Sequence, residues 1–379
     1  MLIQSKRVWI SGNFFPAQLD LEGTKIKAIY DYDTKKPDVD YGNKRIFPGF
    51  LDIHCHGGYG FDTNDAKPEG LKNWVKKVTH EGITGLLCTT ITQTNEVLTA
   101  AVKNVAAVKK EHPEGADIMG IHFEGPYLDM KYKGAQPEQC IVAPTVEEFA
   151  EYQKNADGLI KLITLATEHD PDLALTKYCS QHGVVVSMGH SGATIEQAML
   201  AVANGAKSMT HTYNGMTPFN HRNNGLVGTA LRMHDLYGEV ICDCNHSTPE
   251  ALNIFFTAKG RDKGIMISDA LMCKGFPAGT KFSFGGNEIE IYPDGSAHLT
   301  STKILAGSTM KTNEGLRNLV ERALVPFDAA VNSCTINPAR LLGLDDHIGR
   351  LCAGYDADIT VLDDDYSVVE TYCKGIAQF

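Results

Sequence analysis

No run in this sequence is long and apolar enough to span a bilayer. With 43% of its 379 residues hydrophobic and 21% charged, the chain has the mix of a globular protein. Residues 1–7 contain no basic segment followed by an apolar one, so the expectation is a protein that is not exported and works in the cytoplasm. Positive charge is also scarce: 35 Lys and Arg stand against 46 Asp and Glu, a formal charge of −11. A nucleic-acid groove or a docking face for anionic lipid needs the opposite balance, so neither partner is expected. An anionic small molecule would have to be held by a few local cations against an unfavourable mean field. The ten cysteines form no Cys-x-x-Cys pair, and Cys242 and Cys244 make the closest spacing. They read as small apolar residues in a reducing compartment. Internal repeats and low-complexity linkers are missing too.

What the chain does have is a change of pattern near residue 47. Before it, short alternating runs such as Arg7-Val8-Trp9-Ile10 and Lys25-Ile26-Lys27-Ala28-Ile29-Tyr30, punctuated by Gly and Asp, predict an antiparallel β unit. After it, apolar runs of strand length alternate with helical stretches. Strands are predicted at 50–53, 83–90, 117–123, 159–166, 184–188, 208–210, 239–243 and 264–268. The intervening helices include 68–81, stopped by Gly82, and 95–110. Eight such units predict an α/β fold of the (β/α)8 TIM-barrel type, a class that often exceeds ordinary domain length. Residues 281–300 alternate around Pro293-Asp294-Gly295 and predict a hairpin inserted after the eighth strand. Strand character returns in 357–362 and 368–374. The division expected is therefore a barrel over 48–348 and one small β-sandwich built from 1–47 and 349–379.

Barrels of this kind place reactive residues at the C-terminal ends of their strands. The first predicted strand runs into His54 and His56, which project to one side because they are two residues apart. The third ends in Glu124, the fifth in His190, the sixth in His211, the seventh in His246 and the eighth in Asp269. Ligand-type residues thus close six of eight strands, and one rim carrying them all points to zinc or a similar divalent ion. Glu124, His190 and His211 form a three-ligand set with a position left for water, the pattern of a catalytic site. Such an ion brings the pKa of its water toward ~7. Asp269 is placed to take that water's proton and return it to a leaving group, and His246 to donate to an oxyanion. His122, two residues before Glu124, is expected to orient its neighbours rather than bind metal. His80, His112, His182 and His234 fall away from the rim. After the sixth strand, His221 and Arg222 supply cations suited to a phosphate.

The segments that carry these residues resemble a known family. Pro48-Gly49-Phe50-Leu51-Asp52-Ile53-His54-Cys55-His56-Gly57 resembles the opening strand of the amidohydrolase superfamily. Asn337-Pro338-Ala339-Arg340-Leu341-Leu342-Gly343-Leu344 and Gly354-Tyr355-Asp356-Ala357-Asp358-Ile359 resemble its closing segment. His122-Phe123-Glu124-Gly125-Pro126, Lys133-Gly134-Ala135, Gly189-His190-Ser191, His211-Thr212-Tyr213-Asn214, Ser268-Asp269-Ala270 and Leu305-Ala306-Gly307-Ser308 resemble the motif set of its N-acetylglucosamine-6-phosphate deacetylase family. The resemblance spans essentially the whole chain, with the motifs in order. It implies a metal-dependent hydrolase that removes acetate from the 2-acetamido group of a hexosamine 6-phosphate, the gluco sugar first and its galacto epimer as the alternative.

The same resemblance implies Glu124, His190 and His211 on the main metal, Asp269 as acid and base, and His246 on the acetyl carbonyl. The backbone of Asn214 and Gly215, with His221 and Arg222, would engage the phosphate, His221 and Arg222 crossing between the subunits of a homodimer, and Gln136 would contact the substrate as well. Where some relatives carry amides in the first strand, this chain keeps His54 and His56, which implies a second metal sharing Glu124, with Asp269 as a further ligand. Gln136 stands where some relatives have a sugar-contacting His, Asn223-Asn224 where many have Glu-Pro, and Gly215 where Ala is commoner. Relatives acting on cyclic amides or dipeptides often bridge their metals with a carboxylated Lys, a role that falls here to Glu124. A barrel recruited as a non-enzymatic assembly protein would not need the intact set of Glu124, His190, His211 and Asp269.

Overall fold

Eight parallel strands run Phe50–Cys55, Ile83–Thr90, Asp117–Glu124, Ile160–Leu165, Val185–Met188, Ala206–Met209, Tyr237–Ile241 and Gly264–Ile267 in a computed structural model that describes all 379 residues. Each pairs with the next in chain order. The first and last are joined where Asp269 N–H donates to the His54 carbonyl at 2.9 Å and the Ser268 hydroxyl donates to Asp52 at 2.5 Å. The predicted barrel is therefore present, with strand ends shifted by a few residues at most. The seventh strand moves furthest, starting and ending two residues early, so Asp243 lies in the loop beyond it.

Alternation along the strands sorts their side chains into two environments. Leu86 and Cys88, Ile121 and Phe123, and Ile163 and Leu165 pack outward in one apolar cluster with helix residues such as Leu98, Val102 and Phe149. Leu87, Leu162, Val185 and Ile265 belong to a second cluster that fills the lower interior. One step further up the inward positions turn polar: Thr89, His122, Glu124 and Thr164 are all buried. That change from apolar to polar along the barrel axis is what prepares a site at the upper rim.

The helices obey their local signals. Pro68 opens the helix Pro68–Lys77 at a position where its missing N–H costs nothing, Lys76 and Lys77 sit in the last turn, and a 3-10 turn, Val78–Glu81, carries it to Gly82. Gly82 adopts φ +83°, the left-handed stop that favours glycine. Thr94 caps the helix Asn95–Lys110, and Thr194 with Gln197 forms a complete capping box on Ile195–Ala203.

Strands from both chain termini come together in one small β unit, a single sheet where a sandwich is expected. Its eight strands are hydrogen-bonded in a single sheet, in which Arg45–Pro48 lies parallel to Leu2–Ile10 and antiparallel to Ile359–Leu362. Ile3, Leu19, Ile26, Ile46, Ile359 and Val361 form a core of its own. The insertion after the eighth strand has three strands, Lys281–Phe284, Asn287–Ile291 and Ala297–Leu299, rather than the two of a simple hairpin. The extra turn is at Gly285-Gly286, with φ of +58° and +88°, a glycine pair that alternation around Pro293 had overshadowed. No helix is long and apolar enough to cross a membrane.

Candidate active site

The residues expected at the rim converge on one cavity of about 240 Å³, whose wall includes His56, Glu124, Gln136, His190, His211, Asn214, Gly215, His246 and Asp269. A larger cavity of about 450 Å³ lies at the barrel's opposite end, around Lys76, Lys109, Asp117 and Asp358, with no cluster of metal-type ligands. Chemistry, not size, therefore locates the site.

His190, His211 and Asp269 all sit where a strand turns into its loop, and all three have left-handed backbones, with φ of +46°, +29° and +49°. Non-glycine residues pay for that conformation with strain of about 1–3 kcal/mol each, and strain of this sort is characteristic of functional positions. The turns direct their side chains back over the barrel mouth. Hydrogen bonds then lock each ring: the Tyr132 carbonyl accepts from His190 Nδ1 at 2.8 Å, and the Asn214 carbonyl lies 3.1 Å from His211 Nδ1. With Nδ1 so engaged, both rings offer Nε2 to the interior, as metal ligands with a backbone partner do.

The Nε2 atoms of His190 and His211 are 3.3 and 3.2 Å from Glu124 Oε1 and 3.0 Å from one another. On the other side, His56 Nε2 is 3.1 Å from Asp269 Oδ1, and His54 Nε2 is 3.5 Å from the same oxygen. Glu124 stands between the groups, its Oε1 3.4 Å from His54 Nε2 and its Oε2 3.4 Å from His56 Nε2. Two triads, Glu124/His190/His211 and His54/His56/Asp269, each bring their ligand atoms within 4.8 Å. The donor set and its spacing fit a divalent cation.

Electrostatics agree. Burial alone would push the Glu124 carboxyl up, but His54, His190 and His211 outweigh it and hold the group well below the usual carboxylate range. Asp269 is likewise raised by burial and brought down on balance by His54 and His56. Both are thus ionised, and their salt-bridge partners are imidazoles only. Buried carboxylates without a Lys or Arg are the environment a metal ion compensates.

His246 faces the same cavity from the loop after the seventh strand. Its Nδ1 is 2.7 Å from Asp243 Oδ2, while the backbone N–H groups of Asn245 and His246 donate to Asp243 Oδ1. Burial lowers the His246 pKa, yet the Asp243 hydrogen bond and charge more than offset this and leave it raised. Asn214 and Gly215 line the wall.

Several placements differ from simple expectation. Gln136 does line the cavity, but its amide donates to Glu124 Oε2 at 2.6 Å and its carbonyl accepts from Thr92 N–H at 2.8 Å. It therefore braces a metal-type ligand. His122 does not touch Glu124: it bonds Thr164 Oγ1 at 2.7 Å and meets the edge of the His54 ring at 4.4 Å between centroids. His221 and Arg222 lie on an exposed stretch and form no part of the cavity wall of their own chain. His80, His112, His182 and His234 are exposed and distant, as expected.

Three residues that matter here were missed from sequence. Asp243 and Glu239 partner His246 and His54, and Phe284, from the inserted strands, forms part of the wall and meets the His56 ring at 5.7 Å. Asp243 has a local signal, three residues before a rim histidine in a turn. Glu239 and Phe284 have none, because only barrel closure and the folding-back of the insertion bring them to their partners.

Known proteins share the family and the fold. The model of the amidohydrolase family matches residues 45–377. The chain is 39% identical over 337 residues to the N-acetylglucosamine-6-phosphate deacetylase of Bacillus subtilis (strain 168), covering 88% of this chain and 84% of that protein. It is 31% identical to the N-acetylgalactosamine-6-phosphate deacetylase of Escherichia coli O157:H7, covering 87% and 86%. Among solved structures, a mutant N-acetyl-D-glucosamine-6-phosphate deacetylase from Mycobacterium smegmatis, in complex with N-acetyl-D-glucosamine-6-phosphate, superimposes with a TM-score of 0.93 at 27% identity over 100% of this chain and 99% of that one.

Proposed function

This chain belongs to the amidohydrolase family, among its N-acetylglucosamine-6-phosphate deacetylases, and from that premise we propose that it hydrolyses N-acetylglucosamine 6-phosphate to acetate and glucosamine 6-phosphate. One observation carries the reading: the Asp269 carboxyl lies 3.1 Å from His56 in a buried imidazole–carboxylate cluster, with His246 in the same cavity. Several relatives named for the gluco substrate match at higher identity, up to 39%, than the relative named for the galacto epimer, at 31%.

Glu124, His190 and His211 would hold the divalent ion, and His54, His56 and Asp269, sharing Glu124, would hold a second; zinc suits this donor set. Bound there, the metal supplies Lewis acidity and an acidified water at neutral pH. Asp269 accepts the proton of the attacking water as the new carbon–oxygen bond forms. It then delivers that proton to the amide nitrogen as the carbon–nitrogen bond breaks, so acetate and a free amine leave. His246, held by Asp243, donates through Nε2 to the acetyl oxygen as it gains charge. Asn214 and Gly215, on the wall of the same cavity as Phe284, contact the substrate through their backbone.

The 6-phosphate is held by His221 and Arg222 from the other subunit of a homodimer. Support for this comes from their position on an exposed stretch outside their own cavity. The enzyme works in the cytoplasm. The test compares acetate release from the two epimeric acetamido-sugar 6-phosphates and their dephosphorylated forms, with wild type and Arg222→Ala. The gluco phosphate should be turned over best, and Arg222→Ala should harm phosphorylated substrate selectively. Equal losses on both forms would remove Arg222 from the phosphate, and a preference for the galacto sugar would reverse the substrate assignment.

A further inference from the structure

His54 and Glu239 are both fully buried, and His54 Nδ1 lies 3.0 Å from Glu239 Oε2. A carboxylate accepts only, so the imidazole N–H of this contact is on Nδ1. The other nitrogen, Nε2, has no hydrogen-bond partner; it points toward Glu124 Oε1 at 3.4 Å and Asp269 Oδ1 at 3.5 Å. The second oxygen of Glu239 is buried without a partner as well. An imidazole nitrogen and a carboxyl oxygen, both in the dry interior without a hydrogen-bond partner, are costly in a protein whose site stays free of cations.

Charge counting points the same way. Glu124, Asp269 and Glu239 place three carboxylates around the four rings of His54, His56, His190 and His211, and no Lys or Arg pairs with any of them. A divalent cation is the partner such a cluster of carboxyl and imidazole groups lacks.

We infer that Glu239 is a positioning residue for the second metal: it holds His54 as the Nδ1–H form, aims the Nε2 lone pair at the ion beside His56 and Asp269, and contributes the negative charge that makes a second cation favourable. It touches neither substrate nor metal. This inference rests on the two-metal reading above and extends it to a residue deeper in the barrel.

The test is zinc binding to metal-stripped wild type and Glu239→Gln, which has nearly the same shape but no charge. Wild type should take up two equivalents. Glu239→Gln should keep the first, at Glu124, His190 and His211, and bind the second about 10–100-fold more weakly, as loss of a carboxylate behind a ligating His does. Two equivalents in wild type with unchanged affinities in the variant would overturn the role of Glu239 and leave the two-metal reading standing. A single equivalent in wild type would sink both. Loss of both metals together would make Glu239 a structural residue and overturn the inference. Should the variant fail to fold, zinc-loaded wild type labelled with 15N-histidine decides: one ring, identified by its absence in His54→Gln, should carry its proton on Nδ1 and its metal on Nε2. The opposite tautomer would refute the inference.

Discussion

Replacing Asp243 by Asn isolates the part of catalysis that depends on His246 being charged. Asp243 makes two kinds of contact, and the substitution separates them. Its Oδ1 accepts from the Asn245 and His246 backbone N–H groups at 2.9 Å each, and an Asn carbonyl keeps both bonds and the loop. Its Oδ2 holds His246 Nδ1 at 2.7 Å, and an amide there becomes a donor. Nδ1 must then offer its lone pair, so the ring becomes the neutral Nε2–H form. The donor aimed into the cavity survives, but its positive charge does not. Hydrogen bonds from charged groups contribute about 1.5–3 kcal/mol and neutral ones about 0.5–1.5, so the expected loss is about 1–2 kcal/mol, or about 5–30-fold in kcat/KM. A pH profile adds a second signature. The raised pKa of His246 means the imidazolium is present below it and lost as pH rises through it; in Asp243→Asn that loss should move to lower pH. Acetate release across pH 5–9, with metal content and circular dichroism as controls, makes the comparison. A variant with normal metal, normal kcat/KM at pH 7 and an unshifted profile would show that His246 works without its charge.

Gln136→Ala should act through the metal. It removes the amide 2.6 Å from Glu124 and leaves the buried Thr92 N–H without its acceptor, so metal affinity should fall about 10–100-fold and stability by about 1–3 kcal/mol. Full metal content with only a raised KM would put Gln136 on the sugar instead. Asp358, at the far end of the barrel, offers a test of pH-dependent stability. Burial pushes its carboxyl from 3.8 to about 7, although the Lys374 backbone N–H donates to it at 2.7 Å. The folded protein therefore holds this proton more tightly than the unfolded chain does. Its contribution to stability is complete below about pH 4 and lost as pH rises through about 7, a difference of up to roughly 4 kcal/mol. Asp358→Asn should thus be more stable than wild type above pH 7, with the gap closing toward pH 4; urea unfolding that shows an equal gap at pH 5 and pH 8 would contradict this.

Much of the site was legible because a barrel converts sequence order into position. Once eight strands are recognised, the residue ending each strand must lie on the upper rim, so Glu124, His190, His211 and Asp269 could be grouped although 145 positions separate the first from the last. The same logic was blind to residues that act from elsewhere. Glu239 lies inside the seventh strand and meets His54 only across the closed barrel. Gln136 lies in a loop whose path no periodicity reveals, and its two polar ends are satisfied by Glu124 and Thr92 rather than facing only the cavity. The left-handed backbones of His190, His211 and Asp269 carry no local signature either, because non-glycine residues adopt them only when the surrounding fold imposes it. His122 illustrates the limit of a two-residue spacing: it shares the inward face with Glu124, yet its bonds go to Thr89 and Thr164 on the neighbouring strands.

The central claim is that a divalent metal held by this rim and the carboxylate of Asp269 together split the acetamido bond of N-acetylglucosamine 6-phosphate. The direct measurement is release of acetate and free amine from that compound by metal-stripped protein, by the same protein reloaded with zinc, and by zinc-loaded Asp269→Asn. The account predicts equal amounts of acetate and amine from the reloaded wild type, and little or none from the other two while the variant stays folded and still binds zinc at Glu124, His190 and His211. Full turnover by the stripped protein or by folded Asp269→Asn, or none by the reloaded wild type, would contradict it.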